Sequence, residues 1–243
     1  MEQKYIDRLR LKVKRIVSYV LRNDITNRGE RVDIDYRKSI NFDRLDTYQK
    51  SHFKRYEYVL NMINPGMLIG DFACGTGYGT AMMAQVGKKI YGCDIDNKTI
   101  TIVKKRYRFY KNIVLLCNDL LDLDLPMKLD LIASFETLEH FTEKNIPNLL
   151  IKFNSMLRPG GILVFSVPYM QAETSCSQKH HRTFQIDEIR VKDWINRSEF
   201  CLQGFKYQDY KSHLISEQIT SKDFMIAICT KKEGARKTLA NSQ

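Results

Sequence analysis

The sequence holds no apolar run approaching the roughly 18 residues that span a bilayer, so nothing in it reads as a transmembrane helix. Near its start Arg8, Arg10, Lys12, Lys14 and Arg15 break up any apolar core, which argues against a secretory signal peptide. Its cysteines (Cys74, Cys93, Cys117, Cys176, Cys201 and Cys229) are scattered with no C-x-x-C pair, which indicates neither a zinc site nor a disulfide framework. Most stand inside apolar runs and read as small buried hydrophobes of a reduced, cytoplasmic protein. There are no internal repeats and no low-complexity stretch. Acidic residues are the scarcer charge: 28 Asp and Glu against 39 Lys and Arg give a net charge of +11 in 243 residues. With 43% hydrophobic and 28% charged residues the composition is that of a globular chain.

Part of the basic excess is concentrated. Residues 1–22 carry seven Lys and Arg against Glu2 and Asp7, while Ile6, Leu9, Val13, Ile16, Val17, Val20 and Leu21 recur at helical spacing. The pattern predicts a basic amphipathic helix. It can pack on the rest of the chain or on a second subunit, as in a homodimer, lie on an anionic membrane surface, or touch nucleic acid. The membrane reading would make the protein peripheral to the inner face of a membrane. A second group, Lys104, Lys105, Arg106, Arg108 and Lys111, reads as a solvated helix face.

From residue 66 onward short apolar runs alternate with helical segments. Strands are expected at 67–72, 89–93, 112–117, 129–135 and 161–167, with helices through 85, over 98–108 and over 143–157, the last stopped by Pro159-Gly160-Gly161. That alternation implies parallel pairing and a doubly wound α/β sheet. Residues 171–182 are polar, without a strong element, and read as an active-site loop. A helix at 186–196 and strands at 205–210 and 224–230, spaced for antiparallel pairing, complete the pattern.

The most informative stretch is Leu68-Ile69-Gly70-Asp71-Phe72-Ala73-Cys74-Gly75-Thr76-Gly77-Tyr78-Gly79. A strand ends in an acid and a glycine-rich turn opens a helix, so a ligand can approach the backbone closely. Asp71 before the turn would repel a pyrophosphate but suit an ammonium group. Asp94, ending the second strand, is placed to accept hydrogen bonds from both hydroxyls of a ribose. The expected ligand has a cationic end and a ribose but no bridging phosphates, a description that S-adenosylmethionine fits.

Together these segments resemble the class I S-adenosylmethionine-dependent methyltransferases. Asp71-x-Ala73-Cys74-Gly75-Thr76-Gly77-x-Gly79 is similar to their first motif, Asp94-Ile95 to the ribose-binding acid and its neighbour, and Asn118-Asp119-Leu120 to the adenine-contacting segment, with Asp122 a rival to Asp119. Phe135 to His140 resembles the exit of the fourth strand, and Leu157 to Gly161 the turn into the fifth. The resemblance implies a seven-stranded Rossmann-like sheet with an antiparallel last strand, here with an N-terminal helical extension. It divides the chain into a basic helix and connector (1–50), a methyltransferase domain (51–232) and a flexible tail (233–243).

Glu136, Glu139 and His140 follow the fourth strand; in a helix, Glu136 and His140 would share a face at i, i+4. His140 or His181 is the expected general base, with Glu136 nearby. Glu136, Glu139, His140 and His181 also suit a divalent cation such as magnesium, the alternative being that Glu139 and His140 only fix their loop by hydrogen bonds. A narrower resemblance, to bacterial O-methyltransferases that modify glycans and lipopolysaccharide, includes His52-Phe53-Lys54-Arg55-Tyr56. It implies that Arg55 or Tyr56 reaches the cofactor carboxylate, although Tyr56 also fits a core stripe with Val59, Leu60 and Ile63. The expected acceptor is a hydroxyl of a sugar, glycan or related small molecule, with RNA as the alternative acceptor and a non-catalytic cofactor-binding module as the alternative role.

Overall fold

The computed structural model describes residues 31–37, 40–175 and 180–233; the amphipathic helix expected over 1–22 and the tail beyond 233 lie outside them. Among the described residues, five α-helices and eight strands follow one another. The strands are β1 (Leu68–Phe72), β2 (Lys89–Asp94), β3 (Ile113–Cys117), β4 (Leu129–Phe135), β5 (Leu157–Pro168), β6 (Phe200–Gln208), β7 (Ile215–Ser216) and β8 (Phe224–Lys231). The helices are α1 (Thr47–Leu60), α2 (Tyr78–Met83), α3 (Asn97–Arg106), α4 (Ile146–Met156) and α5 (Glu188–Asn196).

The sheet order is β3-β2-β1-β4-β5-β8-β6-β7. Pairing is parallel from β3 to β5, and β8 inserts antiparallel between β5 and β6. The expected seven strands become eight because the 209–223 connection adds the two-residue β7 against Tyr207 and Gln208. β5 begins at Leu157 rather than 161, since Leu157 already pairs with Leu129 across an irregularity in register. The central strands are buried on both faces. One face carries Phe153 and Leu150 of α4 with Trp194 and Ile195 of α5; the other carries Tyr56 and Val59 of α1 with Met82 and Met83 of α2.

The helices start where the sequence supplies caps. Asp46 and Gln49 form a reciprocal capping box on α1, and Asp96 and Asp187 accept backbone N–H groups at the starts of α3 and α5. The domain boundary expected at residue 50 therefore falls inside α1. Upstream of it, Val32 and Ile34 are buried, and the carbonyls of Val32 and Asp33 accept hydrogen bonds from Thr76 and Gln49. What reads as a polar connector is a strap bound to the domain. On either side of β1 the chain winds in opposite directions, to β2 and to β4, which opens a crevice at the carboxyl ends of the strands.

Candidate active site

The turn after β1 alternates hands: Ala73, Gly75 and Gly77 have φ of 59°, 51° and 74°. Gly77 opens α2 in a conformation that a side chain disfavours, and a Cβ there would lie 2.4 Å from Val103. Gly79 serves packing instead, because a Cβ would sit 2.1 Å from the Tyr56 ring. The absent side chain lets Tyr56 lie against α2 and donate its hydroxyl to Asp71 Oδ1 at 2.9 Å. Thr80 donates to the other Asp71 oxygen. Burial, the dominant influence, raises the Asp71 pKa to about 6.

Asp94 ends β2 at the rim of the crevice. Its Oδ2 accepts the Gly75 N–H at 3.0 Å, and Oδ1 accepts the Asp96 N–H and Arg31 Nη2, each at 3.0 Å. The crevice is a cavity of about 610 Å³, within the range usual for small-molecule sites. It is lined by Ala73, Gly75, Asp94, Ile95, Asp119 and Leu120 and by Tyr56, Glu136, His140, Thr142, Asn145 and Arg182. Asp119 lines the cavity while its Oδ1 takes the Leu121 N–H, so it both caps its turn and faces the site; Asp122 is exposed and off the wall. Ile95 is 68% exposed, an apolar surface open to a flat ring.

Several expected roles are revised by this geometry. Asp71 is fully buried and off the cavity wall, both oxygens held by hydroxyls, so it braces the turn rather than meeting an ammonium group directly. Arg55 is likewise buried and off the wall. Its guanidinium donates to Gln208 at 2.8 Å, lies 4.0 Å over the Phe224 ring and pairs with Glu136 at 3.2 Å, which leaves it no path to a cofactor carboxylate. The segment after β4 is no α-helix: Glu136 has φ of 49° and only Leu138–His140 forms a 3-10 turn. Glu136 turns to Arg55 and to the Ser166 hydroxyl at 2.7 Å, away from the other candidate metal ligands, and burial raises its pKa.

The remaining three ligands do converge. Glu139, His140 and His181 each offer an atom within 4.8 Å of the others'. Backbone bonds hold them there, because the Glu139 carbonyl accepts the Arg182 and Thr183 N–H groups at 2.7 and 3.2 Å. His140 Nδ1 lies 3.3 Å from the His180 carbonyl; with Nδ1–H donating, Nε2 is left as acceptor or ligand. Burial lowers the His140 pKa, and burial with the neighbouring imidazole lowers His181 to about 4, so both rings are neutral near pH 7. Two neutral imidazoles and a buried carboxylate form a donor set suited to a divalent transition metal. His181 stands behind the wall, which is formed there by His180 and Arg182.

Sequence reasoning missed Arg31, His52 and Tyr78 as wall residues. Among the described residues, His52 Nε2 and the Tyr78 hydroxyl are buried there without a hydrogen-bond partner, and burial holds the imidazole neutral. Such orphaned polar atoms fit a ligand with a polar end, as the amino-acid end of S-adenosylmethionine is, while Asp94 and Ile95 fit its ribose and base. For His52 the i, i+4 spacing to Tyr56 was the available signal. Arg31 lies in a polar stretch that offered none.

A methyltransferase-domain family model matches residues 70–165, from β1 through most of β5. A probable S-adenosylmethionine-dependent methyltransferase of Mycolicibacterium smegmatis is 28% identical over 120 residues, 48% of this chain and 45% of that protein. The chain thus spans about half the length of that relative. Among solved structures, the N-methyltransferase NodS of Bradyrhizobium japonicum, in complex with S-adenosyl-L-homocysteine, superposes with a TM-score of 0.62 at 17% identity, covering 88% of this chain and 98% of its own. The [4+2]-cyclase SpnF gives 0.64 at 12% identity, covering 89% and 93%. Residues 70–165 are thus similar to a methyltransferase domain, and the described residues share the Rossmann-like fold of these solved structures. Because the cyclase shares that fold, the fold alone does not fix the reaction.

Proposed function

We propose that the protein is an S-adenosylmethionine-dependent O-methyltransferase acting on a hydroxyl of a sugar or glycan-related acceptor. The observation that carries the reading is one cavity lined both by a ribose-suited acid, Asp94, and by Glu136 and His140 at the exit of β4. Bound S-adenosylmethionine supplies a methyl group on a sulfonium, open to in-line attack. Transfer to an acceptor oxygen would form a C–O bond and break the C–S bond, the electron pair staying on sulfur, and the hydroxyl proton would pass to a base. His140 is assigned that proton, since its ring is neutral and, with Nδ1–H donated to the His180 carbonyl, Nε2 is the nitrogen that can accept. Glu136, held by Arg55 and Ser166, is assigned a positioning role at the cavity wall. Thr142, Asn145 and Arg182, which also line the cavity, supply hydrogen-bonding groups of the kind a polyol uses.

A second reading, a metal-assisted RNA 2′-O-methyltransferase, is favoured by the Glu139–His140–His181 group. In it these residues would hold a divalent cation that orients ribose hydroxyls. Transfer of labelled methyl from S-adenosylmethionine to sugar nucleotides, lipid-linked glycans and small RNA separates the two. The glycan reading expects label in the sugar-bearing acceptors; label only in RNA, lost on adding a chelator, would overturn it. Binding of cofactor with no transfer to any acceptor class would favour a non-catalytic module.

A further inference from the structure

The excess of positive charge is concentrated in two stretches of the chain. Residues 97–117 carry Lys98, Lys104, Lys105, Arg106, Arg108 and Lys111 with no acid, and together with residues 1–22 they account for the whole excess of +11. This stretch runs through α3, the turn after it and the edge strand β3. Arg106 is paired with Asp33. The other five cations are exposed and, among the described residues, none is in an ion pair.

Between these cations Phe109 stands 76% exposed, with the Arg108 guanidinium 4.4 Å from its ring centre. The turn that presents it is anchored. Tyr107 is buried, the Tyr110 N–H donates to the Tyr107 carbonyl at 2.9 Å, and Gln85 donates to the Tyr110 hydroxyl at 3.1 Å. One apolar ring therefore projects from a fixed corner surrounded by lysine and arginine, at the amino-terminal end of β3.

We propose that this corner docks on an anionic lipid bilayer. Phe109 would enter the interfacial zone while Lys104, Lys105, Arg108 and Lys111 meet lipid phosphates, the division of labour that interfacial protein surfaces show. Single-stranded nucleic acid is the rival partner for a basic surface, but it is bound by several stacking faces along a groove. Here the two neighbouring rings, Tyr107 and Tyr110, are occupied in holding the turn. The cavity lies at the opposite, carboxyl ends of the strands, so docking through this corner leaves its mouth open to water.

The test is cosedimentation of the full chain with vesicles of phosphatidylglycerol and phosphatidylcholine, and with phosphatidylcholine alone. Binding is expected to the anionic vesicles only. It should fall at least tenfold in Phe109→Ser and in the combined variant Lys104→Gln, Lys105→Gln, Arg108→Gln, Lys111→Gln, with residues 1–22 unchanged throughout. All five side chains are exposed, so circular dichroism should be unaltered. Depth is read with Phe109→Trp, whose indole should be quenched by brominated lipid, against a background of the single native tryptophan, Trp194, which is buried. No vesicle binding by the parent chain, equal binding by both variants, or an unquenched indole in the vesicle-bound state would overturn the proposal. Binding of RNA through the same residues without vesicle binding would replace it with a nucleic-acid surface.

Discussion

Replacing Asp94 by Asn tests where the cofactor sits. The Asp94 carboxylate already accepts three hydrogen bonds, from Gly75, Asp96 and Arg31. A carboxylate has about four acceptor positions, so a ribose diol would fill the last and gain a second by displacing Arg31. The Asp94→Asn variant keeps the size of the side chain but loses the charge and one acceptor oxygen. A hydrogen bond to a charged group contributes about 1.5–3 kcal/mol, and about 1.4 kcal/mol is a factor of ten. Losing one such bond predicts that S-adenosyl-L-homocysteine binds roughly 10- to 150-fold more weakly. One backbone donor loses its partner as well, which costs about 1 kcal/mol and lowers the melting temperature by about 2–4 °C. Isothermal titration of the variant and the parent chain, with thermal melts alongside, measures both effects. Affinity within about threefold of the parent in a folded variant would refute the placement of ribose on Asp94.

Other consequences follow from the same contacts. Gly79→Ala drives a methyl group into the Tyr56 ring and should destabilise the fold by about 1–3 kcal/mol, as read by urea unfolding; an unchanged midpoint would contradict the packing role. Burial raises the Asp71 pKa from 3.8 to about 6, so between those values the native chain holds a proton that the unfolded chain has lost. Stability should fall as pH rises through that window, by on the order of 3 kcal/mol at most, and Asp71→Asn should flatten the dependence. Arg55→Ala leaves the Glu136 carboxylate without its buried partner and should cost about 3–5 kcal/mol in chemical denaturation. His181→Ala should weaken manganese binding about tenfold or more by calorimetry if Glu139, His140 and His181 hold a metal, and equal binding would exclude it.

How legible the molecule was in its sequence depended on whether a signal was periodic or conformational. β4 was expected over 129–135 and lies there, because its apolar run is buried on both faces and bounded by turns. Asp94 could be placed at the crevice from its position at the end of a strand. The roles of Asp71 and Arg55 could not be assigned, because proximity in sequence to a turn or motif does not say whether a side chain points into the crevice or behind its wall. Gly75 and Gly79 look alike in the motif, yet one lines the cavity and the other makes room for Tyr56. The 136–140 segment misled because i, i+4 spacing presumes a helix, whereas Glu136 has a positive φ. Arg31 and Val32 were invisible because a strap held by single carbonyls has no periodicity to read.

The central claim is that this crevice holds S-adenosylmethionine with its ribose on Asp94 and its reactive end toward Glu136 and His140. A crystal structure of the chain with S-adenosyl-L-homocysteine tests it most directly. The account predicts ribose hydroxyls within hydrogen-bonding distance of Asp94, the amino-acid end near His52 and Tyr78, and the sulfur facing the exit of β4. A ligand bound elsewhere, or with its ribose turned from Asp94, would contradict it.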